Sequence, residues 1–334
     1  MRSKADQRGF SLIEALVSML LGCFLLLAAV SVFLSSRKVM ETSDGLTTVL
    51  DSSRAAFQIM GRDLREAGGN PCSSSLIYAS TLNNSGAAWW TQVAAGIQGH
   101  GANESTPGTP FGTTAASRLA GTDALDLHTA LSAESPEARV VGAMSSATSP
   151  LSVSSGAGFA VGDVALACDP LVGYLFQITQ VGSTTLGHAQ GGAMPGNCSG
   201  EFPPPGSPCS SAGAGYRFEP NAMVSGLASV RWYVGPNDRG GTSLFRATLS
   251  NPAGAGTPSS IAPTEVAADV DGMTLTYQMA GSSSYVPAAS VADWRMVRAV
   301  RIQLELVSRP GAQTEGEAVR RNVSQVVAIR NRSQ

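Results

Sequence analysis

The feature that most constrains this chain is an apolar run over residues 10–34, which holds one carboxylate, Glu14, and no basic residue. At about 1.5 Å per residue, a helix of that length crosses the roughly 30 Å hydrocarbon core of a bilayer. Within residues 1–9, three basic residues outnumber one acidic residue. Such a basic excess holds the leading segment in the cytoplasm, so the sequence predicts a membrane helix with the remainder of the chain outside.

Glu14 is the residue in this run that needs an explanation. A charged side chain at the centre of a membrane helix costs about 2.5–3.5 kcal/mol on insertion scales, so it indicates a function and requires a partner. The run offers no Lys, Arg or His. A cut between Gly9 and Phe10 would create a partner, because it frees an α-amine one helical turn from Glu14.

Residues 8–14, with the sequence RGFSLIE, and the unbroken apolar helix after them resemble the start of type IV pilins and of type II secretion pseudopilins. The resemblance implies that a prepilin peptidase, which is also a methyltransferase, removes residues 1–9 by cutting after Gly9 and then N-methylates Phe10. It further implies that Glu14 pairs with the amine of a neighbouring subunit during assembly. An ordinary signal peptide has a shorter apolar region, and a plain signal anchor does not need Glu14.

The apolar pattern continues beyond the run at three-, four- and seven-residue spacing, which predicts an amphipathic helix. Residues 68–71, GGNP, supply a cap and a stop. We therefore expect one helix over residues 10–67, of which residues 10–34 form the transmembrane or filament-core part. The apolar positions are Leu46, Leu50, Phe57, Met60 and Leu64, and the charged positions, placed mostly on the other side, are Asp51, Arg54, Arg62, Asp63 and Arg65.

Residues 68–334 carry strand patterns between loop-rich stretches and predict one globular head, so the expected class is α+β with a mainly antiparallel sheet. The composition of residues 73–117 predicts mostly loop. Trp89 and Trp90 in this stretch either pin the loop to the core, which we favour, or form a recognition surface. The expected strands are residues 124–129, 138–144, a hairpin of 164–168 and 172–178, 228–234, 274–279, 300–306 and a closing strand at 323–329.

Four cysteines outside the membrane run predict two disulfides in an oxidising compartment. Three pairings are possible. Cys198 and Cys209 flank a proline-rich loop, so we expect them to pair and to leave Cys72 with Cys168. A zinc site built from three of these cysteines and His188 is the alternative, although the chain has no C-x-x-C pair.

Other chemistry has little support in the sequence. The chain has 334 residues, a formal net charge of −2 and 14% charged residues, and this near-neutral balance does not support nucleic-acid binding. Common hydrolase and Walker motifs do not occur, and we expect Asp123, Asp126 and His128 to form a solvated face rather than an acid/base site. A loose calcium site around residues 269–271 with Asn237 and Asp238 remains an alternative. We therefore expect a non-enzymatic protein without a cofactor or metal.

Finer resemblance points to the minor pilins of the W group. It is carried by two matching turn-and-strand segments from Val224 and from Val270, by residues 243–246, by the V-R-x-V-R strand at 297–301 and by the terminal Arg-Asn. It implies a subunit that enters or primes a type IV pilus, supporting adhesion and twitching motility. The J-type pseudopilin of a type II secretion system and a membrane-anchored adhesin are the alternatives.

This resemblance also implies partners and a location. The partners would be the major pilin, other minor pilins and the inner-membrane assembly platform. The protein would lie in the bacterial inner membrane with a periplasmic head before assembly, and in the filament or at its tip afterwards.

Overall fold

The computed structural model describes residues 11–83, 88–192, 195–207, 209, 215–251, 260–308 and 319–332. The chain divides into two compact units, one of Met1–Leu50 with Ser308–Val319 and one of Asp51–Val307 with Arg320–Gln334. The first contains the apolar part of a long helix. The second contains the last turns of that helix and a head of mostly antiparallel sheets, which confirms the α+β class.

Helix α1 spans Leu12–Glu66. It begins where the carbonyl of Ser11 accepts the amide of Ala15 at 3.1 Å. It ends because Gly68 adopts a positive φ of 72°, a conformation in which glycine has no Cβ clash. The stop predicted at the glycine pair is therefore confirmed, while residue 10 lies outside the described residues.

The end of α1 is fixed to the head by backbone and side-chain hydrogen bonds. The amide of Gly68 donates to the carbonyl of His128 at 2.8 Å, and the amide of Ala130 donates to the carbonyl of Gly69 at 2.8 Å. The side chain of Asn331 donates to the carbonyl of Glu66 at 3.2 Å, so a residue from the far end of the chain satisfies a helix-terminal acceptor.

The described residues form 17 strands. In chain order they are β1 (Ile77–Ser80), β2 (Ile97–His100), β3 (Ala124–Thr129), β4 (Glu137–Gly142), β5 (Leu151–Val153), β6 (Val164–Cys168), β7 (Val172–Gln177), β8 (Gln180–Val181), β9 (Thr185–Gly187), β10 (Met223–Gly226), β11 (Ala228–Pro236), β12 (Thr242–Ser250), β13 (Ser260–Ala268), β14 (Val270–Met279), β15 (Tyr285–Val286), β16 (Val297–Ser308) and β17 (Val319–Ala328). Every strand expected from the sequence is present, with end points that differ by a few residues.

The strands form three sheets. The eight-stranded sheet has the order β1-β7-β6-β10-β4-β5-β9-β8, the five-stranded sheet β13-β12-β11-β3-β2, and the four-stranded sheet β15-β14-β16-β17. Strand β1 is parallel to β7, whereas β6 and β7 form the predicted antiparallel hairpin. The alternation expected in β16 is also confirmed, since Val300, Ile302 and Leu304 are buried and Arg301 is exposed.

The hairpin of β6 and β7 lies between two apolar clusters, which explains its continuous hydrophobic sequence. Alternate residues of β6 face opposite clusters: Ala165 belongs to the cluster of Tyr174 and Phe176, while Leu166 belongs to the cluster of Trp89. The first cluster is closed by aromatic contacts such as Tyr174 with Phe202, whose ring centroids are 5.1 Å apart. With both faces covered, every residue of β6 and β7 is buried.

The first part of the head is mostly loop, as the sequence predicts for residues 73–117. The loop is interrupted by β1, β2 and two 3-10 turns, Trp89–Thr91 and Val93–Ala95. Trp89 and Trp90 are buried, which agrees with the interpretation that they pin this segment to the core. The segment forms short strands because its neighbours β7 and β3 supply the hydrogen bonds.

The structure corrects one expectation about α1, which concerns Asp63, a charged residue expected on the polar side of the helix. Its carboxylate is buried and accepts hydrogen bonds from Trp232 Nε1 at 3.0 Å and from Arg246 Nε at 2.8 Å. Trp232 and Arg246 are opposite each other on β11 and β12, so one carboxylate joins the helix to both strands. Periodicity alone could not reveal an acid that faces its partners inside the head.

We expect Asp63→Ala to destabilise the head by about 2–4 kcal/mol, because it leaves a buried indole N–H and a guanidinium without their acceptor. The measurement is urea unfolding of the full chain in detergent, followed by tryptophan fluorescence. The matched control is Asp51→Ala on the same helix. Asp51 pairs with Arg54 at 2.9 Å on the exposed surface, so its loss costs below about 0.5 kcal/mol. Equal losses in the two variants would contradict this assignment.

Candidate functional site

The candidate site is the apolar part of α1. Within the segment Leu12–Met40, the most apolar stretch of 18 residues has a mean hydropathy of 2.6, and no part of that stretch is buried within the structure. Its large apolar side chains, from Leu12 to Met40, are between 52% and 81% exposed. At about 1.5 Å per residue the segment is about 44 Å long, which exceeds the bilayer core. This surface needs a lipid or protein environment outside the described chain.

Glu14 is the one charged residue between positions 11 and 36, and it lies in the first turn of α1. An acid in this turn interacts favourably with the positive end of the helix dipole. The hydroxyls of two serines in the segment form hydrogen bonds within the helix. Ser18 donates to the carbonyl of Ala15 at 3.0 Å, and Ser31 donates to the carbonyl of Ala28 at 2.8 Å. Among the described residues, Glu14 has neither a salt bridge nor a side-chain hydrogen bond. It is therefore available to a group from elsewhere.

The expected cleavage site cannot be placed in the same way, because Gly9 and Phe10 lie outside the described residues. The described helix begins two positions after Phe10. A helix continued to Phe10 would bring that residue one turn from Glu14.

A family model described as the prokaryotic N-terminal methylation motif matches residues 4–30. The motif indicates a type IV pilin or a type II pseudopilin. It implies processing by a prepilin peptidase and assembly with pilin machinery, and with the apolar helix it indicates membrane anchoring. No curated protein and no solved structure matches the chain.

The head contains a buried ionic cluster at a place where the sequence predicts a solvated face. Asp126 was expected on a solvated face with Asp123 and His128, but it is 2% exposed. It accepts hydrogen bonds from Arg231 Nε at 2.6 Å and Nη2 at 2.7 Å, and its other partner is His100 Nε2 at 2.9 Å. Burial favours the neutral acid, but the hydrogen bonds outweigh that effect and lower the pKa of Asp126 below its ordinary value.

This cluster holds the segment before β3 in place. The guanidinium of Arg231 stacks on Trp89 at 4.3 Å and donates to the carbonyl of Pro107. Arg118, also fully buried, donates to the carbonyls of Glu104 at 2.6 Å and Gly101 at 2.8 Å. Two buried arginines thus order a Gly- and Thr-rich loop by hydrogen bonding to its backbone carbonyls. No motif around either arginine predicts this role.

His128 is buried inside the head rather than exposed on a solvated face. It lies beside Trp89 and its Nδ1 is 3.0 Å from Ser229 Oγ. Burial lowers the pKa of His128 to about 4. The cavity that borders it has a volume of about 10 Å³, which is room for about one water molecule. Asp123 instead joins two sheets, because its carboxylate accepts the amide of Leu275 at 2.7 Å.

The cysteines outside α1 form disulfides. Cys72 is bonded to Cys168, and Cys198 is bonded to Cys209, with Cα atoms 6.0 Å apart in each pair. This is the pairing favoured from the sequence, and it engages in disulfides the three cysteines of the zinc alternative. His188 is also engaged, with its Nε2 2.9 Å from the carbonyl of Ser149 and its ring 4.4 Å from that of Phe202.

Two of the candidate calcium ligands, Asn237 and Asp271, have other partners in the structure. Asn237 accepts the amides of Arg239 and Gly241 at 2.9 and 3.0 Å, which closes the turn before β12. Asp271 accepts the hydroxyl of Thr242 and lies 3.4 Å from Arg320. Within the part of the chain that the structure describes, no group of three or more His, Cys, Asp or Glu residues is arranged to hold a metal.

The buried state of His128 predicts a specific pH dependence. Its folded pKa lies below its ordinary value of 6.5, so the unfolded chain binds a proton between pH 6.5 and about 4 while the folded chain does not. Stability is therefore present above pH 6.5 and falls as the pH drops toward 4, by up to about 3 kcal/mol from this group.

We expect His128→Gln to lose less stability than the wild type between pH 7 and pH 4.5. Unfolding free energies from urea titrations at both pH values give the comparison, and the contributions of His188 and Asp126 are present in both proteins. Parallel losses in the two proteins would show that His128 is not the responsible group.

Proposed function

We propose that this protein is a minor pilin of the W group that enters, or primes assembly of, a type IV pilus. The observation that carries the proposal is the exposed apolar helix of Leu12–Met40, which starts with a methylation motif and a single carboxylate. A helix of this kind leaves the membrane only if equivalent helices cover its surface. Association through a head-to-tail interface whose rotation does not close produces a filament.

The proposal assigns roles to three residues. A prepilin peptidase cuts after Gly9 and methylates the new N-terminus at Phe10. Glu14 then pairs with that amine in a neighbouring subunit, because a paired charge offsets part of the desolvation cost in a filament core. The head acts without a cofactor or catalysis, and it lies in the periplasm before assembly and on the filament or its tip afterwards.

A J-type pseudopilin of a type II secretion system is the second candidate, because the methylation motif is common to both classes. A deletion strain separates them. Loss of pili and of twitching motility, with normal secretion of type II substrates, supports the minor pilin. Loss of secretion with normal pili supports the pseudopilin.

We expect Gly9→Val to leave the leader attached, because a β-branched side chain occupies the position before the cut. Mass spectrometry of the membrane fraction measures the retained mass of residues 1–9. Gly22→Ala is the matched control: it places a methyl group on α1 where nothing lies within 4 Å, so processing stays normal. Complete cleavage of the Gly9 variant would exclude this peptidase site.

We expect Glu14→Ala to be cleaved like the wild type but to enter filaments at least about tenfold less, since a lost charge pair is worth more than about 1.4 kcal/mol in a dry interface. Immunoblots of sheared filaments and membranes measure the partition. Asp51→Asn, which removes an exposed charge further along α1, should assemble normally. Wild-type amounts of the Glu14 variant in the sheared fraction would refute the intersubunit pair.

A further inference from the structure

The head contains a groove of about 660 Å³ that none of the preceding functions uses. It lies where the end of α1, the segment after the first disulfide cysteine, the turn after the tryptophan pair and the ends of β16 and β17 meet. Its volume is in the range of small-molecule sites. Its lining residues include Asn70, Ser74, Ser75, Tyr78, Arg295, Arg298 and Arg330.

Three arginines reach this groove because of strand pairing. Arg295 lies in the 3-10 turn Trp294–Met296 just before β16, and Arg330 lies in the turn just after β17. The amide of Ile329 donates to the carbonyl of Arg298 at 2.9 Å, which places the start of β16 beside the end of β17. The chain as a whole has a net charge of −2, yet the described lining holds three guanidinium groups and no carboxylate.

Two of these arginines have donors to offer. Arg295 donates hydrogen bonds from Nε and Nη2 to the carboxylate of Asp293, at 3.0 and 2.9 Å. These bonds orient the guanidinium and leave the Nη1 donors for a ligand. Among the described residues, Arg298 forms no ion pair. A guanidinium binds carboxylate or phosphate oxygens with a fixed fork of donors, so an oxyanion is the group that fits here.

The opposite wall is polar, and it is rigid before any ligand binds. Asn70 accepts the amides of Cys72 and Ser73 at 2.9 and 2.8 Å, and the disulfide from Cys72 to Cys168 attaches this segment to β6. Behind it, the turn at Val93 packs with the tryptophan pair. Walls that are already ordered reduce the entropy cost of binding.

We propose that this groove binds an acidic sugar, with its carboxylate or phosphate on Arg295 and Arg298. The hydroxyl groups of Ser74 and Ser75 on the other wall match sugar hydroxyls, and Leu76 and Val93 offer apolar surface for the C–H face of the ring. The site is separate from Glu14 and from filament assembly. Its failure would therefore leave the proposed function untouched.

The test is titration of the full chain, in a detergent without a sugar headgroup, with glucuronate, glucose 6-phosphate, glucose and inorganic phosphate. Calorimetry or ligand-observed NMR gives the affinities. We expect one or both acidic sugars to bind at least about tenfold tighter than glucose and inorganic phosphate, and more weakly as salt rises. The two acidic probes decide between carboxylate and phosphate. Equal binding of glucose, or of inorganic phosphate, overturns the assignment.

The variant Arg295→Gln with Arg298→Gln should weaken acidic-sugar binding by about tenfold or more, since charge-assisted hydrogen bonds are lost. Arg321→Gln is the matched control, because Arg321 is exposed on β17 and does not line the groove. The Arg321→Gln variant should bind the acidic sugars with the affinity of the wild type. An unchanged midpoint of urea unfolding shows that the double variant is folded. Wild-type affinity for the acidic sugars in the double variant contradicts the proposed site.

Discussion

The structure depends on an apolar helical surface that the described chain leaves uncovered. Between Leu12 and Met40 the only acid is Glu14, and large apolar side chains project on every side of the helix. At roughly 25 cal/mol per Å² of exposed apolar surface, water is an unfavourable environment for the whole segment. Lipid and a bundle of similar helices both remove that cost. On the proposed function, the segment uses the two environments in succession.

In the head, buried charged side chains order long loops of small residues. Asp63 joins α1 to β11 and β12, and Asp126 holds Arg231 against Trp89. A buried ion pair contributes little net stability by itself, but removing one partner leaves an uncompensated charge. Such pairs therefore specify one arrangement of the loops. The disulfide at Cys72 fixes the same region by covalent means.

The features that the sequence predicted correctly are those set by residues close together in the chain. The end of α1, the hairpin of β6 and β7 and the alternation in β16 follow from local sequence patterns, and the structure has them where the sequence predicts them. Asp63, Asp126 and Arg118 were not recognised, because their partners are far away in sequence and an acid on a helix or strand usually faces water. The arginine groove also escaped notice, since Arg295 and Arg330 meet only through the pairing of β16 with β17.

On the proposed function, the position of Glu14 links processing to assembly. In a bilayer, the first turn of α1 lies near the cytoplasmic surface, where a carboxylate reaches water and costs less than at the centre. In a filament core that water is absent, and the charge requires a cation. An uncut neighbour offers only an amide at position 10, together with a charged leader, whereas a processed neighbour offers an amine. The same carboxylate that is tolerated in the membrane therefore discriminates between cut and uncut subunits in the filament.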